Sequence, residues 1–115
     1  MVVHSTKEFN DEVKLAIDGT VFSIVGQKVL GSLYNHLENR YGITPDEVPY
    51  RLDSLFETLE QTFGVKGART LSRSIARRVY FRFNLPFVER EDYRLEDYLQ
   101  QAKKDLSLHL VSLEH

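Results

Sequence analysis

The residues best placed to do chemistry lie between Lys66 and Arg82, where Lys66, Arg69, Arg73, Arg77, Arg78 and Arg82 stand with no acid among them. Arg69, Arg73 and Arg77 recur at four-residue spacing, and Arg78 and Arg82 repeat it one position on, so a helix would rank them along two flanks. Guanidinium groups arranged this way can track phosphates, with Tyr80 and Ser72 adding hydrogen bonds, which is the chemistry of a nucleic-acid contact. The same flank can instead face the acids of the preceding stretch, Asp53, Glu57 and Glu60, with the remaining charges solvated. Each reading is one of binding.

Other reactive groupings are sparse. The chain has no cysteine, which excludes disulfides, thiolate chemistry and cysteine-ligated metals and fits a reducing, cytoplasmic compartment. His4, His36 and His109 lie far apart, His36 on the solvent side of its helix, and no two of them share a metal-ligand spacing. Gly64 and Gly67 precede the arginine-rich helix, but no strand comes before them and no lysine-serine pair follows, so a phosphate-cradling loop is not expected. Glu89, Glu91 and Asp92 read as a solvated acidic loop favourable to the dipole of the helix that follows. No catalytic, metal-binding or cofactor-binding residue is assigned, and the chain is read as a non-enzyme.

The elements that must position these residues are helical. Length (115 residues) allows one domain. No apolar run approaches the roughly 20 residues a membrane span needs, and the start is too polar for a signal peptide. Ser5 and Glu8 have capping-box spacing, and Phe9, Val13, Ala16, Ile17, Thr20 and Ile24 then share one face of a first helix, with Gly19 a candidate kink and Gly26 its end. A second helix runs from Gln27 to Tyr41 with Leu30, Leu33, Tyr34, Leu37 and Tyr41 in a stripe, and Gly42 stands at the left-handed cap position. Thr44, Pro45 and Glu47 open one short helical turn. A third helix spans about Arg51 to Phe63 with Leu52, Leu55, Phe56, Leu59 and Phe63 inward. The fourth spans about Gly67 to Phe83 with Ala68, Leu71, Ile75, Val79 and Phe83 inward. After a loop from Asn84 to Asp92, a fifth helix runs from about Tyr93 to Leu106 with Leu95, Tyr98, Leu99, Ala102 and Leu106 inward, and Leu108 to Val111 is too short a stretch to classify. The expected fold is all-α, a compact bundle of about five helices with short connections. Residues 1–112 form the single helical domain, and 113–115 read as an expression-tag remnant.

Four apolar residues, Leu15, Phe22, Val25 and Phe81, fall off these core stripes. Exposed together they would form a patch that calls for a partner, in the simplest case a second copy of the chain. The alternative is that the fifth helix and the loop before it cover them.

Two likenesses follow from particular runs. The run GVKGARTLSR is similar to the turn and recognition-helix start of repressor-type helix-turn-helix proteins, with one residue more in the turn, which rotates the second helix. Leu37, Tyr41, Gly42, Ile43, Glu47, Val48 and Pro49, with Phe56, Leu59, Phe63, Gly64, Ile75, Tyr80, Tyr98, Ala102 and Lys103 further on, resemble the Nitrosopumilus-type output domain family of archaea. Asn84 stands where that family is expected to have glycine, a swap that a left-handed cap tolerates. The resemblance implies a helical domain downstream of a sensor, acting as a contact surface and bringing no catalytic residues; with no sensor attached, the signal would arrive through a partner. The expected function is therefore a non-catalytic signalling output or protein-interaction domain, homodimeric, using Leu15, Phe22, Val25 and Phe81. The alternative is a nucleic-acid-binding, transcription-related domain using Lys66, Arg69, Arg73, Arg77, Arg78 and Arg82.

Overall fold

The computed structural model describes the backbone of residues 6–114 and the side chains as far as residue 106. The Ser5 half of the expected capping box, His4 and the His109 side chain lie outside the described residues. Four α-helices and one 3-10 helix follow in chain order: α1 Thr6–Val25, α2 Gln27–Tyr41, the 3-10 helix Pro45–Tyr50, α3 Leu52–Arg82 and α4 Leu95–Glu114. No strand occurs among the described residues, and the architecture is an all-α bundle. None of these helices is long and apolar enough to cross a membrane.

Each stripe read from periodicity closes onto one core. Phe9, Val13, Ala16, Ile17 and Thr20 of α1 are buried, as are Leu33 and Leu37 of α2, Leu55, Leu59, Ala68, Leu71, Ile75 and Val79 of α3, and Leu95, Tyr98, Leu99 and Ala102 of α4. Ile17, Leu37, Leu55, Leu59 and Ile75 are fully enclosed, and burial of side chains of this size stabilises by about 1.5–3 kcal/mol each. Helix α1 packs against α2, the 3-10 helix and α3, while α4 packs on α3. The 3-10 helix opens with the expected box: the Thr44 N–H and hydroxyl both donate to Glu47 Oε1, at 3.0 and 2.8 Å, and hold that carboxyl below its ordinary range.

Three departures from the sequence reading concern α1, α3 and α4. The expected third and fourth helices are both present as the two arms of α3 and break at Gly64 as expected, but Gly64 (φ 79°, ψ 174°) is the one residue within α3 that leaves helical geometry, so the second arm starts before Gly67. That combination is open essentially to glycine alone, which is why the bend falls there. Gly67 is helical and sits where a Cβ would press on the Phe63 side chain. The run 64–73 therefore contains no helix-turn-helix turn. Ile24, expected inward, is 55 % exposed, because the core-facing line at the end of α1 runs through Val21 and Val25 instead. Helix α4 does not stop near Leu106 but continues to Glu114, there being no glycine or proline in between to end it.

The segment between α3 and α4 is fixed by aromatic packing. Asn84 takes the left-handed conformation (φ 56°), as the cap position requires. Tyr80 donates its hydroxyl to the Tyr98 carbonyl at 2.6 Å, while the Tyr98 hydroxyl receives the Arg90 N–H and donates to the Arg90 carbonyl. Phe87 packs against the rings of both tyrosines.

Candidate interaction groove

Helix α1 and the C-terminal arm of α3 (residues 65–82) lie antiparallel, and between them on the outer side runs a groove of about 810 Å³. The antiparallel pairing is tied at three points: Phe9 stacks on Phe83, Arg82 Nε meets Glu12 Oε2 at 2.7 Å, and Arg78 Nη2 donates to Ser23 Oγ at 3.2 Å. Glu12, Ala16, Gly19 and Ser23 follow one another along α1 at spacings of four, three and four, and so form the line of contact. Gly19 does not kink α1, which is helical throughout; a Cβ there would collide with the Arg78 guanidinium. The missing side chain is the seat of Arg78.

Both walls carry exposed apolar side chains. Leu15 (61 % exposed) and Ile24 line the groove from α1, and Phe81, 82 % exposed, lines it from α3. Phe22, seven residues beyond Leu15, is also exposed and extends the same outer face of α1 past the groove. Val25 differs from the expectation: it is half-buried and packs against the core, so it does not join this surface. Of the four off-stripe residues, the fold thus brings Leu15 and Phe81 together, sets Phe22 beside them and withdraws Val25. The fifth helix and the loop do not cover them. Ile24 and the Gly19 seat were missed from the sequence, although a lone glycine in mid-helix was the available signal for the seat.

The six basic residues part company. Arg77, Arg78 and Arg82 line the groove, Arg77 with its guanidinium 5.4 Å from the centre of the Phe87 ring. The hydrogen bond to Glu12 raises the pKa of Arg82 above its ordinary value. Arg69 and Arg73 stand at a smaller pocket of about 260 Å³ shared with Glu60 and the 91–95 segment, where Arg73 pairs with Glu89 at 2.9 Å. Lys66 is exposed near the bend. Among the described residues no ion pair joins these cations to Asp53, Glu57 or Glu60; their carboxylate partners are Glu12 and Glu89, on other elements. Tyr80 and Ser72 are buried, so the phosphate hydrogen bonds expected of them are not offered at the surface.

The remaining electrostatics belong to the scaffold. Tyr34 of α2 donates to Asp18 of α1, whose other oxygen lies 3.0 Å from Lys14, and burial followed by the Asp18 contact raises the phenol pKa. His36 is half-buried beside the Tyr41 ring and does not stand on the open solvent side. No group of three or more histidine, aspartate or glutamate residues able to hold a metal occurs among the described residues. Comparison of the chain with protein-family models, with curated proteins and with solved structures finds no match.

Proposed function

We propose that this domain is a protein-interaction module of a signalling pathway, an output domain that acts by docking and not by catalysis, with the α1/α3 groove as its contact face. The observation that carries the reading is Phe81, which projects almost wholly into solvent from a groove that also exposes Leu15 and Ile24. Leaving a phenylalanine in water forgoes about 1.5–3 kcal/mol that a covering partner would supply, and its position on a firmly packed helix keeps the contact pre-organised. The likeness to archaeal output domains at Leu37, Tyr41, Gly42, Ile43 and Val48 supports the signalling role, and a second copy across the groove is one form the contact can take.

A second reading, nucleic-acid binding, draws on the exposure of Lys66, Arg69, Arg77, Arg78 and Arg82 along one helical arm. Titration with labelled random-sequence duplex DNA at low and moderate salt separates the two. The interaction module shows no tight, salt-steep binding. Such binding, lost in an Arg69→Ala, Arg73→Ala variant, would overturn the proposal in favour of the second reading.

A further inference from the structure

The charges around the groove discriminate among occupants. Among the described residues Glu12 is the one carboxylate that lines it, and it is engaged by Arg82. Arg78 bonds only the neutral Ser23 hydroxyl, Arg77 lies against the Phe87 ring, and neither has a carboxylate within ion-pair distance among the described residues. An apolar trough with two carboxylate-free guanidiniums on its rim therefore sits on a chain whose formal net charge is −2. A second copy docked groove to groove would set one arginine-rich rim against another, with Glu12 already engaged in each copy, and like charges so juxtaposed cost energy. A partner with carboxylates beside its apolar residues avoids that cost. Two parallel-sided helical walls accept the apolar stripe of a third helix, and arginine forks pair with carboxylates in bidentate geometry.

We infer that the groove receives an acidic amphipathic helix of another protein, its apolar stripe covering Phe81, Leu15 and Ile24 and its flanking carboxylates meeting Arg77 and Arg78. This rests on the groove being the docking face proposed above, and the experiment separates the two claims. Three fluorescein-labelled helical peptides share one leucine stripe and differ only in the flanking residues, glutamate, glutamine or lysine. Each is titrated by anisotropy against the full chain, Phe81→Ser and Arg77→Gln/Arg78→Gln, with the mass of the protein followed by sedimentation. The expected result is binding of the glutamate peptide about tenfold or more tighter than the lysine peptide, a margin of about 1.4 kcal/mol. That preference disappears in the double arginine variant, and binding itself disappears in Phe81→Ser. Equal binding of all three peptides, lost in Phe81→Ser, would overturn the acidic partner and keep the docking groove. No peptide binding by a dimer that Phe81→Ser dissociates would make the groove a self-interface and likewise overturn the acidic partner. No peptide binding by a monomer whose mass the variant leaves unchanged would overturn both claims.

Discussion

The guanidinium of Arg78 lies across Gly19, in the space a side chain there would occupy, and reaches Ser23 one turn further on. A single absent Cβ thus sets where the Arg78 guanidinium lies, and with it the charge along the groove. Because the colliding atom is the far end of a flexible side chain, Gly19→Ala displaces Arg78 without moving the helices. Replacing a mid-helix glycine by alanine gains about 0.5–1 kcal/mol of stability, and the lost hydrogen bond is solvent-exposed. Urea unfolding should therefore show a more stable variant, and a partner that reads Arg78 should bind it less well.

The bend at Gly64 responds in the opposite sense. Nothing lies within 4 Å of a Cβ built at this position, so Gly64→Ala meets no steric obstacle and its cost is backbone strain alone. That strain amounts to about 1–3 kcal/mol. A fall in the urea midpoint with an unchanged slope checks the prediction, and an unchanged midpoint would mean that the bend can be redistributed into the neighbouring turns.

The difference between these two glycines shows what the sequence made legible. The helices were readable because Phe9, Val13, Ala16 and Ile17, like Ala68, Leu71, Ile75 and Val79, keep a 3.6-residue rhythm that the core enforces. Gly64 was readable as a break, but not as a bend without a turn, because sequence spacing does not say where φ and ψ resume helical values. The off-stripe positions Leu15 and Phe81 were readable as surplus apolar surface by the same rhythm. Their meeting in one groove was not, and neither was the choice of Glu12 and Glu89 over Glu57 as arginine partners. Both depend on how α1 crosses the second arm of α3, which is decided by contacts far apart in the chain such as Phe9 on Phe83.

The Tyr80 hydroxyl makes stability sensitive to alkali. Burial, then the nearby Asp105 carboxylate, pushes this phenol up to about 12 from its ordinary value of 10.0. Since the folded value is the higher, its contribution is intact below pH 10 and is lost as the pH rises towards 12. Tyr80→Phe should cost about 0.5–1.5 kcal/mol at neutral pH through the lost bond to the Tyr98 carbonyl. It should also flatten the decline in stability above pH 10, as measured by urea unfolding at stepped alkaline pH.

The ion pair between Arg82 and Glu12 is predicted to matter little for folding. The arginine side chain is 67 % exposed, so solvent and salt screen the attraction. Arg82→Gln should leave the thermal midpoint nearly unchanged at moderate salt, and a large drop would show that this contact helps to hold α1 on α3.

The most direct test of the central claim, that Phe81 serves contact and not folding, is the unfolding free energy of Phe81→Ser in dilute solution. With the side chain 82 % exposed, the expected change is within about 0.5 kcal/mol, the range of ordinary surface substitutions. A loss of about 3 kcal/mol or more, the scale of removing a buried phenylalanine, would place Phe81 in the folded core and deprive the groove of its anchor.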